Sequence, residues 1–387
     1  MKVSWLGKKK WKEKCYKEIK EELKKKTKNK ISSFPKHKLS KEERKLIDDI
    51  NVTTNQWNIN NVTRTKAYLN FFLRHPEIHW AFLGHMVSRN GGWYMTDLKG
   101  DLLTRLLSEK EQKNFFLFLE RGNWLVFQDV YPQFLLYQKS LRTNKNHFYL
   151  LPYFDVSTFM ETIWNFFWKH GDCNLLAIAM VINEQSYLEK RVIKHHHYKN
   201  TVLNTLGFKL YSFLRFNHII FPFYKNDTTD KPSLIGDTLH YFGSLHERIM
   251  LGKRLYSLLF QYPPALHGVL CWATQHSHTG SRKDYWNHLF HHVNEKVPGK
   301  LYQRRTKNCQ LREGAARIYS PPLQYAWKNI NQPEAEKGDW FEDWRIVDYL
   351  WKDEKLKSGD IYEKYCRTIE KMESTIIAKK AIFLQRE

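Results

Sequence analysis

The sequence predicts a mainly α-helical protein: an irregular multi-helix globular domain with a basic helical N-terminal extension. Three observations lead there. Apolar residues recur at three- and four-residue spacing through most of the chain. Capping boxes such as Ser40-Lys41-Glu42-Glu43 and Ser108-Glu109-Lys110-Glu111 open apolar runs. Gly or Pro separates one run from the next. With 387 residues and 14 Trp, the chain can bury a sizeable core.

Taken in order, Trp11, Cys15, Ile19 and Leu23 recur every four residues in a Lys-rich background, the pattern of a basic amphipathic helix. Ser32–Lys38, with Pro35, reads as a linker. Residues 1–50 are therefore read as a Lys-rich extension and linker, and residues 51–387 as a single helical domain with C-terminal helices. The narrow apolar stripe leads us to expect that residues 1–38 are dispensable for folding.

Within the domain, Thr63–Arg74 is helical. Pro76 suits the first turn of a helix that should end at Gly91-Gly92. The segment opened by Ser108 is expected to break at Gly122 and Pro132. Val156–Lys169 ends at Gly171, and a helix follows from Asp172 to about His195. Further helices are read at Ser244–Phe260, Ala265–Gln275, Pro321–Asn329 and Gly359–Phe383. Strand character is confined to Phe208–Tyr224, which predicts at most one small strand pair.

The formal net charge is +23, and residues 1–50 hold 18 Lys/Arg against 8 Asp/Glu. Such an arm favours a polyanion, either nucleic acid or an anionic membrane surface. A solvated Lys-rich helix is the plainer reading. Cys15, Cys173, Cys271, Cys309 and Cys366 are scattered and odd in number, so reduced thiols and a cytoplasmic location are expected. Lys8-Lys9-Lys10 follows Met1–Leu6 at once, and no export signal is read. The long uncharged stretch Tyr256–Ser281 contains Pro263-Pro264, so no transmembrane segment is expected.

Two motifs concentrate polar chemistry: Ser88-Arg89-Asn90-Gly91-Gly92-Trp93 and His278-Thr279-Gly280-Ser281-Arg282-Lys283-Asp284-Tyr285-Trp286. Each sets an Arg beside small residues and an aromatic ring, which lets backbone approach a partner closely and offers a planar cation. Arg121-Gly122-Asn123-Trp124 is similar, and His246-Glu247-Arg248 adds a polar triplet. Converging, Arg89, Arg121, Arg248 and Arg282 would form an anion site, with His246, His278, Asp284, Trp93 and Tyr285 as further ligand-binding candidates. The structural alternative is Arg stacked on Trp and bonded to helix-end carbonyls.

Glu184 follows the apolar run Leu175–Asn183, where desolvation raises a carboxyl pKa and suits it to general acid work. Glu247 is a second candidate, although Ser244 and Glu247 also fit a capping box. The best reading is a binding protein with an Arg- and aromatic-lined pocket for an anionic ligand. Hydrolase chemistry on Glu184 or Glu247 is the alternative, and a purely structural role for these motifs the third. In the first two, Arg89, Glu184, Glu247 and Arg282 should line one cleft, with Trp93 and Tyr285 among its walls. The pairs His75/His79 and His276/His278 are better explained as structural, so no metal ligand is assigned. No phosphate loop or dinucleotide fingerprint occurs, and no cofactor is named.

Read together, His75–Gly100, Glu120–Gln133, Asn183–Val192, His246–Tyr256, His278–Trp286 and Ser320–Trp327 resemble the YppC-like family of Gram-positive bacilli, a family of unknown function. The resemblance spans about Asn51 to Asn329, and the Lys-rich arm lies outside it. It implies a cytosolic bacterial protein and transfers no catalytic or binding residue.

Overall fold

The structure is a computed structural model that describes residues 5–28, 38–205, 207–208, 217–225, 232–295, 302–352 and 359–384. Ten longer helices dominate the described residues: α1 (Trp5–Lys28), α2 (Lys41–Trp57), α3 (Asn61–Arg74), α4 (His79–Asp97), α5 (Glu109–Thr143), α6 (Thr158–His170), α7 (Cys173–Leu188), α8 (Leu245–Phe260), α9 (Pro263–Gln275) and α10 (Tyr362–Leu384). The mainly helical expectation holds. Ser40 with Glu43, and Ser108 with Glu111, close reciprocal capping boxes at α2 and α5. Asp172 caps α7 through the Leu175 N–H, and Gly171 ends α6 at a φ of 66°.

The interior is built around α4 and α7. Leu175–Asn183 is buried all the way round, so α7 has no solvent face to spend on polar residues and must lie inside. It packs against α4, α5, α6 and α8, while α3 packs on α4. The helix predicted to reach about His195 leaves α geometry after Leu188, and a π turn follows at Glu189–Ile193.

Several sequence readings are corrected. The glycines in the two Arg-Gly-Trp motifs do not end helices: α4 continues through Gly91-Gly92 to Asp97, and α5 runs unbroken through Gly122 and Pro132. At Gly92 the cause is a close approach, since a Cβ there would overlap Asn61 Oδ1 and His278 Nε2. Pro132 removes one helix donor, but its turn is buried and tertiary packing overrides the local cost. Pro321–Asn329 shrinks to a short turn at Leu323–Ala326.

The arm also differs from expectation. Cys15, Ile19 and Leu23 are all buried, with α1 lying on α6 and on the 3-10 turn Trp344–Leu350. Tyr16 donates to Asp348 at 2.7 Å, Lys26 pairs with Glu161 at 2.9 Å, and Lys20 and Lys24 lie over the Trp344 ring. The boundary read near Asn51 falls inside α2. Within the linker reading, residues 32–37 lie outside the described residues.

Strands β1 (His218–Phe223) and β2 (Ser233–Thr238) pair antiparallel, with Phe221 opposite Ile235. This is the expected pair, although 209–216 of the predicted stretch lie outside the described residues. Two more pairs were not anticipated: β3 (Phe290–His291) runs parallel to β6 (Ile318–Tyr319), and β4 (Thr306–Lys307) antiparallel to β5 (Gln310–Leu311). Two residues are too few to show alternation. The expectation of five free thiols is also corrected, because Cys309, in the β4–β5 turn, is disulfide-bonded to Cys366 on α10. Their separation of 57 residues carries no spacing signal. Cys15, Cys173 and Cys271 are free thiols. Among the described residues no helix is long and apolar enough to cross a membrane.

Candidate ligand-binding site

Where α4 crosses α5, the two glycine motifs face each other, with Gly91 lying against Asn123. Their small residues leave a half-open cavity of about 280 Å³, lined mainly by α3, α4, α5, α7, α8 and β1. Its walls are mostly aliphatic and aromatic, including Trp80, Phe118, Val181 and Phe242. Gly122 contributes space directly: a Cβ built there meets nothing within 4 Å. A mid-helix glycine costs about 1 kcal/mol relative to alanine. Here no close packing requires it, and it lines the cavity.

Glu184, projecting from the last turns of α7, is the principal polar feature of this wall. Part of it stays accessible, and it lines the cavity. Burial pushes its carboxyl up to about 7, against the opposing influence of Trp80, Gln185 and Arg248. The Trp80 N–H favours the carboxylate without closing a well-aligned hydrogen bond to it. Gln185 Nε2 donates to Glu184 Oε1 at 3.0 Å, and Gln185 Oε1 in turn accepts from Arg248 Nε at 3.0 Å. Arg248 spends its other donors on the Phe242 carbonyl at 2.6 Å and on Glu189, which the π turn presents to it.

The second guanidinium on the wall, Arg64, pairs with Glu120 at 2.5 Å and donates to Asn58 at 3.2 Å. Both cations therefore already have carboxylates. Glu184 makes no ion pair among the described residues.

The other predicted residues lie elsewhere. Arg89 occupies a face of α4 with His85 and Trp93, four residues to either side. Fully buried, it donates to the His276 carbonyl and lies 4.4 Å from the centre of the Trp272 ring. Trp93 donates to Asp284 at 3.4 Å. Asp284 also accepts from Thr279 and faces His278 at 3.5 Å, while His278 hydrogen-bonds Asn61 at 2.8 Å. Burial alone would raise the Asp284 carboxyl, but His278, Arg89 and Thr279 outweigh it and hold it below its ordinary value.

Arg282 chelates Asp97 at 2.6–2.9 Å and donates to the hydroxyls of Tyr285 and Tyr365. Arg121 lies over Trp124 and holds the carbonyls of Pro333 and Glu334. His246 is exposed beside Tyr349, and the Glu247 N–H donates to the Ser244 hydroxyl at the edge of a shallow hollow that adjoins the cavity at Phe208 and Phe242. The four residues expected in one cleft are thus divided. Glu184 and Arg248 share the cavity, whereas Arg89, Arg282 and Glu247 stand at three other places. The separation follows from helix geometry, because the α4 face bearing Arg89 is not the face bearing Ser88 and Gly91. Among the described residues no three His, Cys, Asp or Glu side chains gather as a metal-holding group.

These helices also carry the likeness to known proteins. A family model described as "Protein of unknown function (DUF2515)" matches residues 56–366. The chain belongs to the DUF2515 family. It is 42% identical over 241 residues to the uncharacterized protein YppC of Bacillus subtilis (strain 168), covering 62% of this chain and 73% of that protein. No solved structure matches it. All the cavity-lining groups named above fall within the residues that the DUF2515 model matches.

Several members of the site escaped the sequence reading. Trp80, Gln185, Glu189, and the Arg64–Glu120 pair were not singled out. Gln185 directly follows Glu184, but nothing local shows that it bridges to Arg248, 63 residues away. Gly122 reads in the sequence as a helix break, whereas α5 runs straight through it.

Proposed function

We propose that this protein binds a small, largely apolar molecule in the cavity between α4, α5, α7 and α8. The observation that supports this most directly is an apolar cavity lined by Gly122, with one carboxyl, Glu184, on its wall. Ligand sites are concave and mostly apolar, with few polar groups that fix orientation. The anionic-ligand reading is not carried over to this cavity, because Arg64 and Arg248 are both matched by carboxylates.

Gly122→Leu tests the proposal. The side chain grows into empty space and the helix gains propensity, so the fold should keep its melting midpoint. Native mass spectrometry of the wild-type protein should show a co-purified small molecule that the variant lacks. Equal occupancy in both would count against the cavity.

A second reading is hydrolase-type catalysis with Glu184 as general acid, supported by its carboxyl being pushed up to about 7. It requires turnover that Glu184→Gln abolishes while ligand retention persists. The polyanion partner is a separate proposal for the outer face of α1, where Lys14, Lys17 and Lys25 are exposed. Deleting residues 1–38 should then weaken retention on a heparin column.

A further inference from the structure

We propose that the molecule held in the cavity is a small apolar amine, its ammonium pairing with Glu184 and its ring or hydrocarbon body filling the space beside Gly122. This rests on the cavity reading above and names its occupant.

The charges on the wall carry the inference. Arg64 is matched by Glu120, and Arg248 by Glu189, with the remaining Arg248 donors taken by Gln185 and the Phe242 carbonyl. Glu184 is the one carboxyl on the cavity wall, and it has no cation of its own among the described residues. A largely desolvated carboxylate without a cation beside it is costly. Its neutral alternative leaves an acid facing an apolar space. An ammonium entering that space supplies the missing charge. An anion would meet Glu184 as a like charge and find both guanidinium groups already matched by carboxylates.

The walls suit a cation as well. Trp80, Tyr68, Phe118 and Phe242 line the same space, and aromatic faces attract cations through their quadrupoles. The size also fits. A cavity of about 280 Å³ admits a single-ring arylalkylamine.

Proton linkage follows from this pairing. The charged and titratable groups around Glu184 are Tyr68 and Arg64 on α3, Glu120 and Asp129 on α5, Glu189 in the π turn and Arg248 on α8. Burial holds the Glu184 carboxyl at about 7 in the empty cavity. Ammonium binding requires the ionised form, so amine affinity should fall as pH drops below that value.

Isothermal titration of the full chain with 2-phenylethylamine, 2-phenylethanol and 3-phenylpropanoate tests the assignment. These probes share a ring and differ in the head group. The amine should bind at least about tenfold more tightly than the alcohol, a difference of about 1.4 kcal/mol, and the carboxylate most weakly. Glu184→Gln should abolish the amine's advantage and retain the alcohol. On the wild-type chain, amine affinity should weaken by up to about tenfold per pH unit below about 7, while alcohol affinity stays level. This profile keeps the test decisive should Glu184→Gln fail to fold.

Equal binding of amine and alcohol, or parallel pH profiles, would overturn the amine assignment. If Gly122→Leu still abolished both, the cavity reading would stand. Absence of binding by every probe, or binding indifferent to Gly122→Leu, would overturn the cavity reading itself.

Discussion

Arg282 shows what the polar residues of the sequence motifs do when they are not in the cavity. All three of its guanidinium nitrogens are engaged, by Asp97 and by the hydroxyls of Tyr285 and Tyr365. Arg282→Ala would strand a carboxylate beside two buried hydroxyls. We predict a loss of about 3–5 kcal/mol in urea-unfolding stability. A loss below about 1 kcal/mol would mean that the pair is solvated. The sequence could say that an Arg beside apolar helices needs partners. It could not say which, because Asp97 and Tyr365 lie 185 and 83 residues away.

Glu184 and Asp129 add a pH dependence of the opposite kind to an ion pair. Burial pushes both carboxyls up to about 7, against ordinary values of 4.5 and 3.8. Between those values the folded chain holds more protons than the unfolded one, so stability falls as pH rises. Each group contributes up to about 1.4 kcal/mol per pH unit across its window. Glu184→Gln removes one of the two. The stability curve between about pH 5 and 7 should become shallower, and the variant should gain on the wild type toward neutral pH. An unchanged slope in urea titrations at several pH values would show that Glu184 ionises as an ordinary carboxyl.

At the scale of elements, most helix bounds were legible, and the failures fall at glycines inside α4 and α5. A capping box is local chemistry: Ser40 and Glu43, or Ser108 and Glu111, satisfy each other's backbone donors within one turn. A glycine is ambiguous, because the residue that frees a helix to end also lets another chain approach. Gly171 does the first and Gly92 the second, and the difference lies in Asn61 and His278, which sequence does not place beside Gly92.

The same limit applies to α1. Its four-residue stripe was plain, but a stripe does not reveal whether anything covers it. Cys15, Ile19 and Leu23 are 0–2% exposed, and burying such side chains contributes about 1.5–3 kcal/mol each before ordering costs. Deleting residues 1–38 should therefore lower the melting midpoint, and Ile19→Asp should do so with the arm intact. A midpoint unmoved by both would show that the arm is dispensable, as its sequence alone implied.

Over the whole molecule, the class of fold was readable because helical periodicity recurs through most of the chain. Neither the cavity nor the disulfide has a local signature. Both arise where segments distant in sequence meet, and the disulfide gives the sharper test. Asn308 and Cys309 form the β4–β5 turn with φ of 50° and 57°, a left-handed pair for which Asn-Gly is the familiar sequence signal. Cys309 stands where glycine would be expected, and it is the residue tied to α10. Glu373 on α10 reinforces the junction by accepting from the N–H groups of Arg305 and Thr306 and from the Tyr302 hydroxyl. Under denaturing, non-reducing conditions, alkylation should therefore modify Cys15, Cys173 and Cys271, with Cys309 and Cys366 joining them only after reduction. A loop of 57 residues corresponds to ~4 kcal/mol of chain entropy in the unfolded state. Cys366→Ser should cost less than that, about 2–3 kcal/mol, because the left-handed Cys309 is relieved while Glu373 keeps its bonds. Five alkylated cysteines without reductant would remove the bond and with it this contribution. The result would also decide how much weight scattered cysteines deserve, since the expectation of a reducing cytoplasm rested partly on reading all five as free.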